Sequence, residues 1–397
     1  MMFRKSAIFA FAVLTTCMML TGCSSGPDAE IPKDIEELDK LTVIPKDAEP
    51  THEIDFNQEA SFGETEDVIV GGIMDVTVDE QGRVYIADGD QNVIHMYESS
   101  ADYIRKLGKE GKGPGEFTMV NLMRHDETQL YALDIRQQRI NVFDLESLEF
   151  SHAISLSQEG DGRKELSSAS PGAYYLRDNG NLLVSFKESM AAEQEGDSER
   201  SVLYYLMDQE GNILSDKLLE QRTDEYIMDQ SGEMRLFMTP PYARRSMLAT
   251  GPDHKIYTNW SEHFLVKQYN TDGEYQQAIY YPYSQSSLDI SNVVKDYDSK
   301  RFKDLLRNAD NPGTWPAVNS MSVDGQSRLW ISTYTDDDSI YRWWIISEDG
   351  DLLAQFDWPK EERIEAIENG KLFARKTDEE TGVERIVRYG IEMSEAD

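Results

Sequence analysis

The sequence predicts an all-β fold, a six-bladed β-propeller of four-stranded antiparallel blades, on two observations. The first is a unit of four short strands from Met74 to Phe117. Met74 to Val78, Arg83 to Ala87, Asn92 to Tyr97 and Tyr103 to Leu107 are apolar or alternating runs, and turn clusters such as Asp79-Glu80-Gln81-Gly82 and Asp88-Gly89-Asp90 separate them. Runs of this length between Gly/Asp/Asn clusters are strand and hairpin signals. The second is recurrence. The second-strand phrase Val84-Tyr85-Ile86 returns at Leu130, Leu182, Ile256, Leu329 and Leu372, mostly after a turn of the same kind. Six copies of one meander, at a basic spacing in the forties, describe a propeller.

In chain order, residues 1–22 read as a lipoprotein signal peptide: Arg4 and Lys5 precede the apolar run Ala7 to Leu20, which is too short for a comfortable membrane span. The run ends in Leu20-Thr21-Gly22-Cys23, which resembles the bacterial lipobox, and that resemblance implies lipidation of Cys23. Residues 23–50, rich in Ser, Pro, Asp and Glu, are expected to be a flexible tether with a short helix around Asp34 to Leu41. The propeller is expected over 51–393 and a short C-terminal tail over 394–397. Thr51 to Gln58 alternates as a lone strand, while the last repeat, Ile364 to Met393, supplies only three. The N-terminal strand should therefore complete the sixth blade and close the ring, removing two exposed sheet edges.

The third blade carries a polar excursion at 191–200, expected to be a loop. Two longer insertions, Gln221 to Tyr242 and Tyr283 to Val318, stretch the repeat before the fourth and fifth blades. The second has helical spacing at Val294, Tyr297, Leu305 and Leu306, so one small helical insertion is expected. Both lie between the outer strand of one blade and the inner strand of the next, and should form a shared rim on one face.

Composition removes several chemistries. With 39 basic against 74 acidic residues the net charge is −35, which repels nucleic acid and anionic membrane surfaces. Of the two cysteines, Cys17 leaves with the leader and Cys23 carries lipid, so neither thiolate catalysis nor cysteine-ligated zinc is expected. The six histidines are scattered. GKEGKGPGEF (108–117) has no helix after it and is a blade link rather than a phosphate loop. Asp88-Gly89-Asp90 and Asp336-Asp337-Asp338 lack EF-hand spacing and read as turn chemistry.

The turn and strand Asp79 to Ile86, together with the glycine-rich link 108–117, resemble NHL-type six-bladed propellers, in particular the 6-bladed propeller lipoproteins frequent in Bacteroidota-type bacteria. The resemblance spans Thr51 to Met393. It implies fold and envelope location, with the outer membrane the expected site, and implies little about function. Calcium-dependent lactonase-like propellers carry Asn and acidic ligands on the inner strands. Here Asn121 and Asn319 each stand five residues before a turn Asp (Asp126, Asp324), which leaves calcium as the one open cofactor. No catalytic residue stands out.

The sequence thus describes a monomeric, lipid-anchored envelope protein that binds a small molecule, glycan or protein at the insertion-bearing face. Arg244 and Arg245 at the start of the fourth inner strand suit a carboxylate or phosphate. Asn121, Asn319 and Trp315 are expected around the same tunnel entrance. The alternative is a calcium-assisted, lactonase- or lyase-like propeller enzyme acting on sugar or peptide substrates.

Overall fold

A computed structural model describes residues 31–63, 68–158, 162–188, 200–229 and 236–396. The leader, Cys23 and nearly all of the polar excursion at 191–200 lie outside them. The chain is a six-bladed β-propeller. Blade 1 comprises Ile73–Val78, Val84–Asp88, Val93–Tyr97 and Tyr103–Leu107. Blade 2 runs Val120–His125, Gln129–Asp134, Arg139–Asp144, Phe150–Ser155, and blade 3 runs Ser170–Leu176, Leu182–Lys187, Ser201–Met207, Leu219–Arg222. Blade 4 runs Ser246–Thr250, Ile256–Trp260, Leu265–Tyr269, Tyr275–Tyr280, and blade 5 runs Val318–Val323, Leu329–Tyr334, Ile340–Ile346, Leu352–Pro359. Each is an antiparallel meander from the axis outward.

Blade 6 takes Arg363–Glu368, Lys371–Thr377 and Glu384–Glu395 from the C-terminus, and its outer strand, His52–Phe62, from the N-terminus. The two long strands pair from His52↔Glu395 to Phe62↔Ile386. The ring is closed as the lone alternating strand required.

The six copies of the second-strand phrase all fall on second strands. These lie between two neighbouring blades and are buried on both faces, so they read as continuous apolar runs rather than alternations. Apolar clusters fill every seam between adjacent blades. The seam between blades 3 and 4 is the thinnest, with Leu183, Tyr204 and Ile256 at its centre. Hydrogen bonds reinforce it: Tyr175 donates to the Leu248 carbonyl at 3.0 Å, and Arg177 to the carbonyls of His254 and Thr271.

The recurring turn aspartate has a physical role. Asp79 accepts from the amides of Gln81 and Arg83 through one oxygen, and from Arg83 Nε and the Tyr85 hydroxyl through the other. Asp324 repeats the pattern with Gln326, Arg328 and the Trp330 indole. One carboxylate thus folds the turn and satisfies the polar atom of a buried aromatic ring. Asp88 is likewise committed to its turn, accepting from the amides of Gly71, Asp90 and Gln91 and lying 3.2 Å from His95.

Two expectations change, while the expected helical insertion is present. Residues 32–50 are not a free tether. A short helix, Lys33–Glu36, precedes Leu41–Val43, which adds to the outer edge of blade 4 as a parallel fifth strand against Ala278–Tyr280. Ile35 and Ile44 are buried, and it is these apolar residues, spaced among the charges, that dock the segment. The last strand continues to Glu395, so 394–397 is not wholly a tail, because His52 and Glu53 need partners there. The second insertion holds two short α-helices, Ile290–Val293 and Lys300–Asn308, and the first holds a hairpin, Ile227–Asp229 with Leu236–Met238. Among the described residues no helix is long and apolar enough to cross a membrane.

Candidate functional site

The two insertions pack together on one face. Tyr242 of the first shares a small core with Val293, Val294 and Leu306 of the second, and Arg301 pairs with Asp229 at 2.6 Å. A cleft of about 980 Å³ lies between the hairpin strand and the helix, lined by Ile227, Met228, Lys300, Arg301, Asp304 and Leu305 among others. Beside this rim lies the mouth of the axial tunnel, where the first strands of the blades begin.

The structure separates the two arginines. Arg244 is buried and donates to the carbonyls of Tyr242 and Thr314 and to the Thr314 hydroxyl at 3.1–3.2 Å, while its amide meets Glu225 at 2.9 Å. It ties the two insertions together with three of its five side-chain N–H donors, and burial keeps it from a ligand in solvent. Arg245 is exposed. Its Nη2 donates to Asn319 Oδ1 at 3.3 Å, and its charge opposes the rise that burial gives the Tyr334 phenol. Asn319 sits at a bulge in the inner strand of blade 5 and is held by its Nδ2 on Ser332, at 3.0 Å. The bulge turns its side chain toward the neighbouring blade's arginine.

Trp315 stacks on Tyr334 with centroids 4.8 Å apart and planes 16° apart, and Tyr334 meets Tyr341 edge-on at 5.5 Å. Lys360 Nζ lies 4.9 Å from the Tyr341 ring and 5.7 Å from that of Tyr334. Burial pushes the Tyr341 phenol up to about 12; Tyr334 adds to the rise, and the guanidinium groups of Arg245 and Arg363 pull the other way. Burial lowers the Lys360 ammonium, opposed by Asp338 and Asp337. Arg245, Asn319 and Trp315 are therefore brought together with Tyr334, Tyr341, Lys360 and Arg363. Asn121 occupies the equivalent bulge of blade 2, on the opposite side of the ring.

Sequence reasoning missed Tyr334, Tyr341, Lys360 and Arg363. Lys360 and Arg363 lie in or beside the link between blades 5 and 6, the same type of connection that carries Arg245, and that shared place in the repeat was the available signal. The tyrosines belong to strands and read as core.

Deeper on the axis, Asp75 accepts from the Met123 amide at 2.6 Å and stands 3.7 Å from Arg124. Burial raises its carboxyl to about 6, with Arg124 opposing and Glu365 adding to the rise. Burial also raises Glu365, which is paired with Arg375 at 2.7 Å. A carboxyl whose folded value exceeds its unfolded one holds an extra proton between the two, so Asp75 loses stability for the fold as pH rises from about 4 to 6. Asp75→Asn should therefore gain about 1–2 kcal/mol relative to the parent between pH 5 and pH 7.5. Melting curves at both values check this; a difference independent of pH would contradict it.

Among the described residues no three His, Cys, Asp or Glu side chains are grouped to hold a metal. Asn319 has its carbonyl oxygen on a guanidinium, an unfavourable setting for a calcium ligand.

With this geometry in hand, comparison places the chain among known folds. Residues 63–235 match the family model DUF5128, described as a 6-bladed beta-propeller. The shared feature is the propeller. No curated protein matches the chain. A protein from Bacteroides fragilis named provisionally as exported aligns at 13% identity, covering 89% of this chain and 99% of its own, with a TM-score of 0.50. A member of the duf4221 family from Bacteroides vulgatus aligns at 9% identity over 87% and 100%, with a TM-score of 0.53. The calcium-binding protein regucalcin from Agrobacterium tumefaciens aligns at 11% identity over 90% and 98%, at a TM-score of 0.43, too distant to carry its calcium over. At such identities the likeness is one of fold.

Proposed function

We propose that the protein is an exported, envelope-anchored binding module that holds an anionic ligand at the insertion-bearing mouth of its axial tunnel. One observation carries the reading. Among the described residues, neither Arg245 nor Lys360 has a carboxylate within ion-pair distance, in a chain of net charge −35. Where acidic groups outnumber basic ones almost two to one, cations without carboxylate contacts beside tyrosine hydroxyls suit an anion from outside. Arg244 and the Asn319 bulge keep Arg245 in place, and Trp315 backs Tyr334. Location rests on the apolar leader and Leu20-Thr21-Gly22-Cys23, and the exported Bacteroides relative agrees with it.

Titration calorimetry of sulfate into the full chain at low salt tests the reading. Saturable binding that weakens at least about tenfold in Arg245→Gln is the expected result, the loss of one charge-assisted contact. No saturable heat, or binding unaffected by the substitution, would refute it.

A further inference from the structure

We infer that the group bound at this mouth is a phosphomonoester in its dianionic form rather than a single carboxylate. The inference rests on the reading above and concerns how many charges the site answers and on how many atoms.

Arg363 already has an acidic neighbour, Glu365, at 3.5 Å, so its charge is partly met. Arg245 and Lys360 have no carboxylate in contact; the exposed Asp337 and Asp338 act on Lys360 only from beyond ion-pair distance, so two positive charges remain without a contact partner. These cations converge on one place. Lys360 lies against both tyrosine rings, Arg245 is held by Asn319 beside them and acts on the Tyr334 phenol, and the Tyr341 hydroxyl is in the field of both Arg245 and Arg363. Two charges spread over separate carboxylates would need separated cations. Two charges on one tetrahedral group, with three acceptor oxygens, need converging donors: a guanidinium, an ammonium and tyrosine hydroxyls. A lone carboxylate would leave one cation unanswered in a partly desolvated setting.

The groups facing the site include Asp337 and Asp338 toward Lys360, Glu365 toward Arg363, and the two tyrosines; Asp75 stands behind Glu365. Since Asp75 titrates near pH 6 along with a phosphomonoester, the test needs a probe of the same shape and fixed charge. Methyl sulfate is that probe: tetrahedral, with three terminal oxygens and one charge at any working pH.

Calorimetry of methyl phosphate, methyl sulfate and acetate with the full chain at pH 7.5 and pH 5 decides the matter. Methyl phosphate should bind at least about tenfold tighter than methyl sulfate at pH 7.5, and within about threefold of it at pH 5, where the ester has lost its second charge. Lys360→Gln should erase the preference at pH 7.5 while keeping residual binding through Arg245. If methyl sulfate and acetate bind as tightly as methyl phosphate at pH 7.5, the anion site stands and the dianion inference falls. If none of the three binds, both fall.

Discussion

Deleting residues 52–62 is expected to leave no soluble, cooperatively melting protein. These residues form the outer strand of blade 6, paired along their whole length with Ile386 to Glu395. Their loss opens the ring between its first and last repeats. It uncovers the edge of a twelve-residue strand, Glu384–Glu395, and removes Phe62 from the seam where it packs with Tyr97 and Phe373. An open strand edge of that length templates association. Because the deletion could act by preventing folding altogether, Phe62→Ala gives a graded measure. It should cost about 3–5 kcal/mol as a buried aromatic truncation. By contrast, removing residues 31–44 takes away a short helix, a three-residue edge strand on blade 4 and the buried Ile35 and Ile44, but no strand of the six four-stranded blades, and should leave a folded ring. Expression, size-exclusion profile and melting temperature of the three variants check the set. A soluble 52–62 deletion with an unchanged melt would overturn the account of closure.

Trp330→Ala should be the most damaging single substitution, at about 3–5 kcal/mol from the lost ring alone. Trp330 is fully buried on the second strand of blade 5 and faces the seam with blade 6, among Trp343, Trp358 and Phe356. Its indole N–H donates to Asp324 at 2.8 Å, the same carboxylate oxygen that Arg328 Nε reaches at 2.7 Å. Trp330→Phe separates the two contributions. It keeps most of the ring packing and removes the hydrogen bond, for a cost of about 1–3 kcal/mol with the charged acceptor. Denaturant melts of both variants provide the measurement; equal losses for Phe and Ala would show that the Asp324 bond, not the packing, governs the site.

Much of the architecture was legible because repetition is a property of sequence. Each second strand lies between two blades and must be apolar on both faces, so Val84-Tyr85-Ile86 and its five copies announce themselves without any knowledge of their partners. The turn aspartates announce themselves for a related reason: one carboxylate serves its own turn and its own strand within a few residues, so the whole device is local. Ring closure followed from arithmetic, a lone strand at one end and a three-stranded blade at the other.

The segment 32–50 was misjudged because its composition is polar while its docking depends on few apolar residues. Ile35, Ile44 and the parallel pairing of Leu41–Val43 are decided by a blade edge more than two hundred residues away. The candidate site divides in the same manner. Arg244 and Arg245 are adjacent and chemically identical in the sequence and lie in the link just before the inner strand Ser246–Thr250, where no strand period fixes their directions, so only the tertiary fold could send one into the junction of the insertions and leave the other at the mouth. Lys360 and Tyr334 acquire meaning only when blade 5 brings a linker and a strand end together beside blade 4. By itself the sequence determined the repeat, the number of blades, their closure and the face that carries the insertions, since each rests on local pattern or on counting. The tertiary structure decided which cations remain without a carboxylate and where they converge, because charge neutralisation is settled between residues that the chain keeps far apart.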